Sequence, residues 1–177
     1  MAVLVEPAEQ YGEGFLAAEG EFAEAGGERL FDRHLGLIND FAAYVQQLGA
    51  EQARQPNEPG RVPSSWFWLI DGQVYVGRVS LRHRLNPRLR RFGGHIGYEI
   101  RPSRRGRGYG KQALALALQH ACRIGLRRVL LVCSQTNVAS PRIIEANGGV
   151  LEGVFRVRER SEPVRRYWIQ LGPSDAP

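Results

Sequence analysis

The sequence predicts an α/β fold around a sheet of mixed strand direction. Three observations carry that reading. Aromatic and β-branched segments at 66–71, 72–83 and 95–100 read as strands joined by short connections. An amphipathic stretch and a continuous apolar run follow, the order of a strand–helix–strand unit. The first 60 residues carry helical spacing instead. A length of 177 residues with 43% hydrophobic content fits a single domain, residues 1–177, with a core of useful size.

Each element has a local cause. Residues 12–29, rich in Gly, Ala and Glu, read as helix or helix-turn. From Leu30 to Gln52, Phe31, Leu35, Ile38, Phe41, Ala42, Val45 and Leu48 recur at helical spacing and predict a second helix with one buried stripe. "ARQPNEPGRVPSS" holds three prolines and reads as a loop. "WFWLID", "GQVYVGRVSLRH" and "HIGYEI" read as strands, with Asp71-Gly72 as a two-residue hairpin turn and "RLNPRLRRFGG" as a loop. Residues 111–124 place Leu114, Ala117, Leu118, Ala121 and Cys122 on one helical face, and Gly125 ends that helix. "RVLLVC" has the unbroken apolar pattern of a parallel strand covered on both faces. A short helix is expected from Ser140 as N-cap, with Pro141 at its first position, up to Gly148-Gly149. "VLEGVFRVRER" and "RRYWIQL" close the chain as two strands.

Composition narrows the function classes. No run of 18 apolar residues exists, so no transmembrane helix is expected. The N-terminus carries acids where a secretory signal needs basic residues. Cys122 and Cys133 make neither a disulfide framework nor a zinc site, so a cytoplasmic location and no metal are expected. The charge is uneven. Residues 1–60 hold eleven acids and three arginines; residues 61–177 hold 21 basic residues and seven acids. Nine arginines against the single acid Glu99 fall in 82–107, a field suited to a partner with several phosphates.

The segment "EIRPSRRGRGYGKQALALAL" is the most informative. A strand runs into a turn with glycines at 106, 108 and 110, and a helix opens directly after it. Glycines let successive backbone N–H groups face one concavity, and the helix N-terminus adds unsatisfied donors. The ATP/GTP-loop pattern fails here, because Arg105 stands at its first Gly and Gln112 at its hydroxyl. The dinucleotide fingerprint fails too, because Lys111 replaces its last Gly and no aspartate occurs between Asp71 and Asp175. What remains is Arg105-x-x-Gly108-x-Gly110 at a helix start.

That pattern resembles the central motif of the GNAT superfamily of acyl-CoA-dependent N-acetyltransferases. "NVAS" (Asn137 to Ser140) supplies a further family pattern after the next strand, and the likeness spans roughly Trp66 to Leu171. "HRLN", "GGHIGYEIRPS" and "RYWI" resemble a bacterial branch of the superfamily. The resemblance implies the GNAT fold: a mostly antiparallel mixed sheet, splayed between two parallel strands, with helices on both faces.

It also implies acetyl-CoA as co-substrate and a primary amine as acceptor, acetylated by direct attack on the thioester. The diphosphate would sit on Arg105, Gly106, Arg107, Gly108, Tyr109, Gly110 and Lys111. The pantetheine arm would pair near Ile100 and Arg101, beside a bulge, in a wedge lined by Asn137 and Ser140. A backbone N–H near Ile100 would meet the oxyanion. His95 is the expected general base. Glu99, two positions along the same strand face, would orient it, act as base itself, or pair with an arginine. Ile144 stands where many members carry a proton-donating tyrosine, and Tyr167 is a distant substitute. The acidic residues 1–60 would favour a cationic acceptor; a homodimer is a compatible assembly and a membrane partner is not expected. Two other readings compete: a non-catalytic acyl-CoA sensor, and a nucleic-acid-binding protein using the 82–107 arginines.

Overall fold

Two antiparallel sheets touch at one point and part from it. The structure, a computed structural model, describes residues 1–26, 40–53, 61–158 and 160–172. The first sheet places β1 (Val3–Val5), β2 (Ser64–Asp71), β3 (Val74–Arg82) and β4 (Ile96–Ile100) in chain order. The second runs β5 (Arg128–Ser134), β7 (Val164–Gln170) and β6 (Val150–Phe155), with β7 in the middle. β1 escaped the sequence reading because three residues are too few to show alternation.

Helices cover both faces of the first sheet. α1 (Gly12–Ala25) and α2 (Phe41–Ala53) lie on one face, where Phe15 stacks on Trp68 at 5.2 Å and meets Tyr75 edge-on at 5.5 Å. Close approach there needs Gly14, since a Cβ would sit 3.0 Å from that of Tyr75. α4 (Tyr109–Arg123) lies on the other face, with Ala113, Leu114, Ala117 and Ala121 in a core that takes residues from both sheets. Cys122, expected on that face, is exposed. The core therefore bridges the parting sheets rather than belonging to either.

Several boundaries differ from the sequence reading, each for a local reason. The described part of the second helix starts at Phe41, where Asp40 Oδ1 accepts the Ala43 N–H at 3.0 Å. Phe31, Leu35 and Ile38 lie outside the described residues, as does the loop stretch 54–60. The hairpin loop is Gly72-Gln73, with Gly72 at φ +62° and Asp71 still paired to Val74. The expected loop before β4 contains α3 (Pro87–Phe92), whose Asn86 N-cap accepts the Leu89 N–H at 2.8 Å. That Asn-Pro pair was a readable helix start.

Candidate functional site

The parting begins at His95. Its N–H donates to the Leu130 carbonyl at 2.7 Å, and its ring Nδ1 accepts the Leu130 N–H at 2.8 Å. Further along β4, the Tyr98 hydroxyl reaches Ser140, which lies past the C-terminal end of β5, so β4 and β5 run in the same direction. Gly94, at φ +66°, allows the contact, since a Cβ there would stand 2.6 Å from the Leu130 oxygen.

Beyond His95, β4 has no strand partner on this side among the described residues. The Arg101 N–H donates to Val76 on β3 at 2.8 Å. Hydrogen-bonding direction alternates along a strand, so Tyr98 and Ile100 turn their backbone groups toward the gap. The Ile100 carbonyl meets Arg105 Nε there at 3.1 Å. The one bulge next to β4 lies on β3, where the register slips opposite Leu69 and Ile70, rather than on β4 itself.

A turn of 3-10 helix, Pro102–Arg104, carries the chain from this edge into the glycine loop. Gly106 (φ +74°) and Gly108 (φ +83°) take the left-handed conformation that side chains resist, and Gly108 is the N-cap of α4. Nothing lies within 4 Å of a Cβ built on either glycine, so backbone conformation selects them and their outer side is open. Among the described residues, the N–H groups of Gly106, Arg107, Gly108, Tyr109 and Gly110 have no protein acceptor. The first turn of α4 carries no acid. Five free amides at a 15-residue helix start, flanked by Arg104, Arg105, Arg107 and Lys111, form a site for an anion with several oxygens. Gly110 serves packing instead: a Cβ would lie 2.6 Å from Ile143 of α5 (Ala139–Glu145).

Other predicted binding residues are occupied by the protein itself. The Arg101 guanidinium pairs with Glu21 of α1 at 2.7 Å, so it holds the loop in place. The Tyr109 hydroxyl donates to Asp71 at 2.6 Å, and Asp71 also pairs with the N-terminal amine at 3.1 Å. Those two partners, Tyr109 first, hold the Asp71 carboxyl below its usual range. Asn137 Oδ1 accepts the N–H groups of Ala139 and Ser140 at 3.2 and 3.0 Å. Asn137 thus caps α5, correcting the expectation that Ser140 is its N-cap. Ser140 lies inside the helix, and its Oγ reaches across to the Tyr98 hydroxyl at 3.2 Å. Burial first pushes the Tyr98 phenol up to about 12, so it stays protonated.

The two expected catalytic groups have other duties. Burial, then the nearby Arg82 and Arg90 charges, push His95 down to about 4, and its Nδ1 lone pair is engaged by Leu130. With that lone pair engaged by the Leu130 N–H, the ring links β4 to β5. Glu99 sits on the α1 face in a buried pair with Arg78, whose Nε and Nη2 lie 3.1 and 3.0 Å from Oε2; Glu19 stands 3.5 Å from the same guanidinium. The third option read from the sequence, pairing with an arginine, is the one the geometry takes. Tyr167 donates to Glu145 at 3.2 Å. Among the described residues no cluster of His, Cys, Asp and Glu could hold a metal, and no helix is long and apolar enough to cross a membrane.

Sequence reasoning missed Glu21, Asp71 and Tyr98. Glu21 gave no signal, because its partners lie 80 and 82 positions away. Tyr98 gave one, since its odd offset from Glu99 put it on the opposite face.

Known proteins share this fold. The family model for the acetyltransferase (GNAT) domain matches residues 37–150. No curated protein sequence matches the chain. Solved structures match along nearly its whole length. The ribosomal L7/L12 alpha-N-protein acetyltransferase RimL, in complex with coenzyme A, shares 18% identity with a TM-score of 0.67, covering 96% of this chain and 94% of that one. The microcin C7 self-immunity acetyltransferase MccE, in complex with acetyl-CoA and AMP, shares 18% identity with a TM-score of 0.69, covering 96% and 92%. The spermidine/spermine N-acetyltransferase SpeG from Vibrio cholerae shares 17% identity with a TM-score of 0.61, covering 97% and 95%.

Proposed function

The chain belongs to the GNAT acetyltransferase family, and from that membership we propose that it uses acetyl-CoA to acetylate a primary amine by direct attack. The observation that carries this reading is the parted β4 edge running directly into five free amides. When bound, acetyl-CoA supplies the activated acyl group. The amides of 106–110 hold its diphosphate, with Arg105, Arg107 and Lys111 adding charge. The outward backbone groups of Tyr98 and the Ile100 N–H would hold its amide arm as an extra strand and orient the thioester, and an N–H of that edge would stabilise negative charge on the acyl oxygen.

The residues around the gap set the proton chemistry. An alkylamine near pKa 10 must lose a proton before attack. With His95 and Glu99 engaged elsewhere, that proton leaves through water. The Tyr98 hydroxyl, kept protonated by burial and aligned by Ser140, donates a hydrogen bond to the departing thiolate. This assigns to Tyr98 the work that Ile144 cannot do.

The acceptor would approach from the side of α1 and the residues before it. Exposed Glu6, Glu9, Glu13 and Glu24 give that side a negative face, which favours a cationic amine. The test is calorimetric titration with acetyl-CoA, then thiol release with panels of polyamines, amino sugars and peptides. Acetyl-CoA binding with thiol release on a cationic amine supports the reading. Absence of cofactor binding overturns it, and binding without thiol release on any panel leaves a sensor.

A further inference from the structure

α1 reaches 80 residues along the sequence to grip the segment between β4 and the glycine loop. Glu21 Oε1 accepts from Arg101 Nε at 2.7 Å and from Ser103 Oγ at 2.9 Å, and lies 2.7 Å from Arg101 Nη2. Its other oxygen accepts the Ser103 N–H at 3.0 Å. These donors hold the Glu21 carboxyl below its ordinary range against the opposing effect of burial. The next residue, Phe22, carries the Arg105 guanidinium over its ring at 5.7 Å. One turn of α1 therefore contacts Arg101, Ser103 and Arg105, the residues that lead directly into the amides of 106–110.

We propose that Glu21 is a positioning residue for cofactor binding: it presets the 101–105 turn so that the α4 amides meet the diphosphate without rearrangement. The proposal rests on the acetyl-CoA reading above. Its physical basis is preorganisation, in which a fixed site spends less of its binding energy on ordering. Nothing in the motif around the glycines encodes it, because the clamp comes from a helix outside that motif.

Charge and position act in opposite directions here, which makes the proposal decidable. Removing the Glu21 carboxylate makes the surroundings of the loop more positive by one unit. Coulomb attraction alone then predicts tighter binding of an anionic cofactor. Loss of positioning predicts weaker binding. The experiment is titration of acetyl-CoA into wild type, Glu21→Ala, Glu21→Gln and Ser103→Ala, together with steady-state kinetics and amide hydrogen exchange across 101–110 without cofactor.

The expected result for Glu21→Ala is a rise of about tenfold in the Kd and KM for acetyl-CoA, with the KM for the amine unmoved. Exchange at Ser103 should quicken. Glu21→Gln keeps oxygen acceptance but loses charge and should fall between wild type and Glu21→Ala. Ser103→Ala removes one donor and should weaken binding by a smaller factor, which keeps the test available should the Glu21 variants fail to fold. A folded Glu21→Ala protein binding acetyl-CoA as tightly as wild type, or more tightly, overturns this proposal alone. A wild type that binds no acetyl-CoA overturns the functional reading and this proposal with it.

Discussion

His95 makes a stability prediction whose size follows from its surroundings. The ring goes from an ordinary 6.5 in the unfolded chain to about 4 in the fold, because it is buried among Arg82, Arg90 and Arg128. The folded state therefore resists a proton that the unfolded state accepts. A depressed histidine contributes stability that is present above pH 6.5 and lost as pH falls toward 4. Linkage between those values gives a loss of about 2 kcal/mol from pH 7.5 to pH 5. His83 and His120 are also pushed down by burial and add their own slope, so wild type alone does not isolate His95. His95→Asn does. The Asn Oδ1 occupies the place of Nδ1, can accept the Leu130 N–H, and does not titrate. Urea denaturation of both proteins at pH 7.5 and pH 5 should show a pH dependence about 2 kcal/mol smaller in His95→Asn. At pH 7.5, His95→Ala should lose about 1–3 kcal/mol by leaving the Leu130 N–H without its acceptor. A His95→Asn protein as acid-sensitive as wild type would refute the assignment of the neutral ring to the junction of the sheets.

Other perturbations separate binding from folding and chemistry. Gly108→Ala should cost about 1–2 kcal/mol in thermal denaturation, through backbone conformation alone, because its Cβ meets nothing within 4 Å. Gly108→Glu adds a carboxylate that the α4 N-terminus tolerates but a diphosphate does not, so calorimetry should find acetyl-CoA binding weakened more than about tenfold; unchanged affinity in a folded protein would rule out the loop as the cradle. Tyr98→Phe should lower kcat while leaving the Kd for acetyl-CoA near wild type, and an unaltered kcat would remove Tyr98 from the chemistry. Glu99→Gln removes the carboxylate charge 3.0 Å from the buried Arg78 guanidinium and should cost about 3 kcal/mol by urea denaturation. A loss under about 0.5 kcal/mol would show that this buried pair between β3 and β4 does not stabilise the sheet.

What could be read from the sequence divides along physical lines. Local signals were legible. Aromatic and β-branched content marked β2, β3 and β4; the α4 stripe and the glycine turn stood out because short-range backbone rules govern them. The pairings that give residues their duties were not legible, because they join distant segments. His95 reads as a base until Leu130, 35 positions on, is seen to occupy its Nδ1. Glu99 reads as an acid near a histidine until Arg78 is found beneath it, 21 positions back.

Arg101 carries the same lesson further. Its place at the end of β4 suggested backbone pairing with the pantetheine arm, yet Val76 takes its N–H and Glu21 its guanidinium. A cation already neutralised by a carboxylate adds little attraction for an anion. Arg101 therefore drops out of the field at the loop, and in the proposed reading the amides carry more of the recognition. That shifts the burden of binding from side chains, which mutation readily alters, to backbone geometry, which depends on two left-handed glycines and on the clamp from α1.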